Sequence, residues 1–195
     1  MSHHIAFQHN LAHQRGQFLV LITVAIILAA GIVFFGFRKY EQGKTSSQVQ
    51  QALGSFTTMA AAIEQGFQSV QGDSGGVYTG VTTQEIAEGG YVPTADVQSS
   101  NVMGPFGAAL QFAPATNANY LNITYPNVPD AACHQFVNGL VNNATAVAVN
   151  GTVIYDTGAS SGSAQAFDAT QAAALSTDCS PSSGAPVSIQ VTIGR

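Results

Sequence analysis

Apolar residues are distributed along this chain in three patterns. From Phe18 to Phe37 they run without interruption, FLVLITVAIILAAGIVFFGF, twenty residues with no charge and only Thr23 as a hydrogen-bonding side chain. At about 1.5 Å per residue a helix of that length covers roughly 30 Å, the hydrocarbon thickness of a bilayer. In lipid a helix satisfies its own backbone groups, so the segment is expected to be helical and membrane-inserted. The alternative is a buried helix of a soluble domain, but such helices are usually apolar on one side only. From Thr45 to about Ser69 the second pattern begins. Val49, Leu53, Phe56, Met59, Ala60, Ile63 and Phe67 recur at spacings of three and four, which predicts that the helix continues with one apolar face.

Beyond the glycine-rich break at 71–80 the apolar runs become short. Thr82 to Glu88 reads as one small helix, with Thr82 or Thr83 as N-cap, Glu85 in the first turn and Gly89-Gly90 as its stop. Tyr91 to Pro105 reads as loop. Ala109–Ala113 and Tyr120–Tyr125 read as strands joined by a polar turn. Asp130 to Val141 reads as a helix with Cys133, Phe136, Val137 and Leu140 on one face. Ala146–Val149 and Thr152–Asp156 flank Asn150-Gly151, the strongest hairpin signal in the chain. Ser160 to Ser163 is a loop, Asp168 to Leu175 an Ala-rich helix, and the alternating VSIQVTI of Val187–Ile193 a closing strand. Long helix first, then mostly strands with small helices between them, is an α+β order. The expected divisions are a leader at 1–16, a long helix at 17–70 with its apolar span at 18–37, and a globular head at 71–195.

Charge sharpens this division. From Thr45 onward there are nine acidic residues and one basic residue, Arg195, leaving about −8 on the outer part. Arg15, Arg38, Lys39 and Lys44 all flank the apolar run. An acidic head argues against nucleic acid and against docking on anionic lipid. The abundance of small polar residues resembles that of secreted bacterial proteins. Two cysteines, Cys133 and Cys179, lie beyond the apolar run, where a membrane anchor would place them outside the cytoplasm. An even count in an oxidising compartment points to one disulfide, and the alternative is a pair of buried thiols. A bridge across 46 residues contributes on the order of 4 kcal/mol by the chain-entropy argument. No metal or other cofactor is expected. His134 lacks a ligand cluster, and His3, His4, His9 and His13 are irregularly spaced without a cysteine partner.

The N-terminus departs from an ordinary secretory signal, in which a short apolar core precedes a small-residue cleavage site. Here a hydrophilic leader ends in Arg15-Gly16 and the apolar helix follows it. That arrangement resembles a type IV prepilin. The resemblance implies that a prepilin peptidase cuts between Gly16 and Gln17 on the cytoplasmic side and methylates the new N-terminus. It also implies that Phe18, Leu19, Leu21 and Ile22 begin the helix through which subunits assemble. The family places a Glu fifth in the mature chain, paired with a neighbouring subunit's terminal amine, and here Leu21 stands at that position. A buried carboxylate needs such a partner; Leu21 supplies no carboxylate, as expected of a minor or tip-type subunit or of a branch that sets register differently. The stretches FGAALQFAPATNANYLNITYPNVPDAACHQFVNGL and SIQVTI are similar to the type IVb pilins of conjugative thin pili and bundle-forming pili. The resemblance implies a pilin-like α+β fold, a long N-terminal helix packed under an antiparallel-sheet head, and a Cys133–Cys179 bridge.

Catalytic motifs are sparse. VIYDTGAS at Val153–Ser160 resembles the active-site loop of aspartic proteases, but that chemistry needs two carboxylates sharing a proton, and Asp-Thr-Gly does not recur in the sequence. Only 39 residues follow Asp156, so a strand ending in a turn is the better reading. No phosphate-cradling loop occurs. The sequons at Asn122, Asn143 and Asn150 are expected by chance in so Asn- and Thr-rich a chain. Two functions remain. One is a pilus subunit whose partners are other pilin subunits, the prepilin peptidase, the bacterial inner membrane before assembly and cell surfaces afterwards. The other is a single-span anchored extracytoplasmic binding module that never polymerises. Neither is an enzyme.

Overall fold

The computed structural model describes residues 43–68, 76–181 and 185–194, and every contact discussed below lies within the compact unit Thr45–Arg195. Residues 43–68 are helical (α1). Val49, Phe56, Met59, Ala60 and Ile63 are buried, together with Ala52, which shares their face one turn from Val49 and Phe56. Leu53 and Phe67 pack against the same core from its margin. The apolar stripe read from the spacing is therefore the buried stripe. Among the described residues no helix is long and apolar enough to cross a membrane; the run at 18–37 lies outside them.

Helix α2 spans Thr83–Glu88 and is closed by a reciprocal capping box. The Thr82 hydroxyl accepts from the Glu85 backbone N–H, and the Glu85 side chain accepts from Thr82 N–H. Gly89 is its C-cap, and Gly90 follows at φ 76°, a left-handed residue that ends the helix. The stretch expected to be loop holds a 3₁₀ turn, Thr94–Asp96, and a two-stranded ribbon of β1 (Val97–Gln98) and β2 (Asn101–Val102). Strands of two residues carry too little alternation to be legible in sequence.

The main sheet holds β3 (Gln111–Pro114), β4 (Tyr120–Val128), β5 (Ala146–Val149), β6 (Thr152–Asp156) and β7 (Val187–Gly194) in the order β3-β4-β7-β5-β6, each pair antiparallel. The last strand of the chain is thus the central one. β4 runs three residues beyond the expected Tyr125, through an irregularity between Tyr125 and Val128 where Asn127 takes φ 60°. The β5–β6 hairpin turns on Asn150 and Gly151, both at positive φ, the geometry that favours Asn-Gly.

Helix α3 spans Asp130–Leu140 and buries Ala132, Cys133, Phe136, Val137 and Leu140. Helix α4 spans Ala169–Asp178, ending three residues beyond the expected Leu175, and buries only Leu175. Its N-cap is Asp168, whose carboxylate accepts from Thr170 N–H at 2.8 Å and Gln171 N–H at 3.0 Å. One apolar cluster joins α1, α2, α3, Leu175 and the inner side of the sheet. This is the expected architecture: a helix packed on an antiparallel sheet, with small helices between strands.

Candidate functional site

The sheet has two unlike faces. Val147 and Val149 on β5 are fully buried, as are Ile189 and Val191 on β7. Side chains alternate along a strand, so Ala146, Ala148 and Gln190 face the other way. The register places these outward residues in two rows. One row runs Ala113, Asn122, Thr192, Ala146, Asp156 across β3-β4-β7-β5-β6; the next runs Gln111, Thr124, Gln190, Ala148, Val153. In each row the position on β5 is alanine, so the surface sinks between taller neighbours. A cavity of about 450 Å³ opens there. Thr116 and Asn117, in the turn between β3 and β4, stand on one side, and Ser160 and Ser161, in the loop after β6, on the other.

Its chemistry is almost wholly neutral. The Thr192 hydroxyl donates to Asn122 Oδ1 at 2.8 Å, which occupies one acceptor and leaves the two N–H donors of the Asn122 amide to solvent or ligand. Asp156 is the one carboxylate in the lining and is nearly buried. Its Oδ1 accepts from Gly158 N–H at 2.6 Å and its Oδ2 from the Ser161 hydroxyl at 2.7 Å. Backbone bonds in both directions between Asp156 and Gln165 fasten the far end of the same loop. The D-T-G-A-S sequence therefore builds a turn whose carboxylate organises its own loop, as a strand ending in a turn requires. It does not present a free catalytic acid.

Cys133 and Cys179 form a disulfide, with Cα atoms 5.6 Å apart. Cys133 lies on the buried face of α3, and Cys179 is the C-cap of α4, so the bridge ties the weakly buried helix to the deeply buried one. The Asn150 side chain reinforces that end. It donates to the Asp178 carbonyl at 3.0 Å and accepts from Ser188 N–H at 2.9 Å, joining the hairpin tip, α4 and the start of β7. Asn143 and Asn122 are likewise engaged through their amides, Asn143 with the Gly139 carbonyl at 3.2 Å.

Two tyrosines have perturbed hydroxyls. Burial pushes Tyr125 above its ordinary value of 10, and burial together with nearby Glu64 raises Tyr78 to about 12. Among the described residues no group of three or more His, Cys, Asp or Glu is placed to hold a metal ion. His134 is exposed on α3. The expected processing and assembly residues Gly16, Gln17, Phe18, Leu19, Leu21 and Ile22 lie outside the described residues. Sequence reasoning missed the cavity. Its signal was the AVAV of Ala146–Val149, in which the residue that turns outward is the small one.

Residues 50–191 match the family model described as PilS N terminal. No curated protein matches the chain by sequence. Among solved structures, TcpA, a type IV pilin from the El Tor biotype of Vibrio cholerae, superposes with a TM-score of 0.51 at 19% identity, covering 76% of this chain and 99% of that one. A type IVb pilin from Salmonella typhi superposes with a TM-score of 0.50 at 17% identity, covering 73% of this chain and 97% of that one. The structural likenesses speak for the fold, and the family match for descent: the chain belongs to the PilS N-terminal family and is a type IV pilin subunit with the fold of the type IVb class.

Proposed function

We propose that this pilin is made with a leader at 1–16, cut by a prepilin peptidase between Gly16 and Gln17, and polymerised through its apolar N-terminal helix into an extracellular type IVb pilus. The family match over residues 50–191 carries this reading, and the apolar run at 18–37 behind Arg15-Gly16 supports it. Before assembly the run holds the subunit in the inner membrane. Polymerisation then packs many such helices together, removing apolar surface from both lipid and water. The acidic head faces outward and makes adhesive, aggregative or conjugative contacts with cell surfaces. Leu21, in place of the register-setting Glu, favours a second reading in which the chain stays a single-span anchored binding module.

The test is intact mass and N-terminal sequencing of protein from membranes and sheared filaments of its own host. The expected chain begins at Gln17, carries one methyl group and is recovered in the filament fraction. A chain beginning at Met1 and confined to membranes overturns the proposal in favour of the anchored module. Replacing Gly16 by a bulkier residue is expected to keep the leader attached and stop filament incorporation.

A further inference from the structure

The cavity on the outer face of the sheet lies on the side away from the apolar core, and it is built by specific choices. Its floor is low because Ala146 and Ala148 occupy the two outward positions of β5. Two separate loops raise its walls, and one of them is pinned by the buried Asp156 carboxylate through Gly158 and Ser161. At about 450 Å³ it falls in the roughly 300–1,000 Å³ range of small-molecule clefts.

The lining selects the ligand by elimination. It contains no lysine, arginine or histidine to hold an anion. The surrounding head carries about −8, which repels one. The single carboxylate has both oxygens engaged within its own loop and no second carboxylate beside it, so the lining offers no set of acidic ligands for a cation. No aromatic ring is present, and of the two lining valines Val147 is turned into the core, which leaves only Val153 to anchor an apolar group. A peptide strand cannot add here, because the cavity lies on the face of the sheet, where backbone groups are spent in the ladders with β4, β7, β5 and β6. What remains is a set of neutral donors and acceptors: the Asn122 amide N–H groups, the Gln190 amide, and the hydroxyls of Thr116 and Ser160. Among the described residues the Gln190 amide makes no side-chain hydrogen bond within the protein.

We infer that this cavity is a binding site for a neutral saccharide, a ligand that presents many hydroxyl groups and no charge. Asn122 donates to it, Gln190 donates and accepts, and the alanine floor admits the ring. The inference names the chemical class that an adhesive contact of the head would take, but it stands apart from polymerisation: binding is read on unassembled chain, and assembly on sheared filaments.

The test is saturation-transfer NMR on the full chain in a dodecylphosphocholine micelle, a detergent without a sugar headgroup. The probes are methyl α-mannoside, lactose, maltotriose and N,N′-diacetylchitobiose, with 3′-sialyllactose as the acidic counterpart. At least one neutral probe is expected to receive saturation, and sialyllactose much less. Ala148→Leu, which raises the floor, and Gln190→Ala, which removes the free amide, are each expected to weaken that binding at least tenfold with unchanged circular dichroism. Two variants guard against a folding failure in either. No transfer to any neutral probe, equal transfer to sialyllactose, or binding unchanged in the folded variants overturns the inference.

Discussion

Helices α3 and α4 have nearly the same length, 11 and 10 residues, and are held by different physics. α3 places five residues in the core, and its Phe136 ring meets Tyr125 edge-on at 5.0 Å and Phe106 at 5.3 Å. α4 places Leu175 alone. It is also attached by Ala174 at the margin of the core, the bridge at its C-cap, the Asn150 amide on the Asp178 carbonyl, and the Asp168 cap at its start. Hydrophobic burial is cumulative, so a helix with one buried side chain gains only a small share of what α3 gains. The comparison teaches that the disulfide fastens the element that the core does not.

Four perturbations can break or sharpen this contrast. Phe136→Ala has the largest expected effect, a loss of roughly 3–5 kcal/mol from the removed ring and the cavity beneath it. It should lower the whole cooperative transition in denaturant, since the ring joins α3 to β4. Next is the double change Cys133→Ala/Cys179→Ala, with an expected loss of about 4 kcal/mol from the 46-residue separation. Hydrogen exchange should then rise in α4 well before it rises in α3. Equal loss of protection in both helices would remove the contrast.

Alkaline pH acts on Tyr125, whose ring packs against Phe136 of α3, and on Tyr78, whose ring packs against Phe67 of α1. The folded-state values of Tyr78 and Tyr125 are raised above 10, so the neutral forms are the ones the fold favours. The stability they contribute is complete below pH 10, the unfolded-state value, and declines as pH climbs from there through the folded value, about 12 for Tyr78. Denaturant midpoints measured from pH 8 to 12 should be flat up to about pH 10 and fall beyond it, with Tyr125→Phe reducing the fall. The smallest change is Asp168→Ala, which removes one cap and costs about 1 kcal/mol. It is expected to speed exchange in the first turn of α4 and to leave α3 untouched.

The two helices were also unequally legible. The face of α3 follows from the spacing of Cys133, Phe136, Val137 and Leu140, because burial on one side imposes a 3.6-residue period. The sequence places the end of α4 at Leu175, whereas the helix runs on through Ser176-Thr177-Asp178, poor helix formers with no buried position. The bridge at Cys179 and the Asn150 contact hold that last turn in place, and both are long-range. The same holds for the candidate cavity. Its alanines, amides and loops come from five segments, and only the register of β4, β7, β5 and β6 brings them side by side.

By itself the sequence determined the local structure: the apolar stripe of α1, a helix capped at Thr82 or Thr83, the Asn150-Gly151 hairpin, the alternating strands and the α+β order. Each depends on neighbours a few residues apart, and each is reinforced by backbone chemistry that tertiary contacts did not override. Only the tertiary structure decided that the last strand, β7, lies between β4 and β5. Alternation tells which side of a strand is buried but not which strand lies beside it. That placement closes the core over α1 and turns Gln190 and Thr192 outward beside two alanines, so the cavity exists only once β7 is in the middle of the sheet.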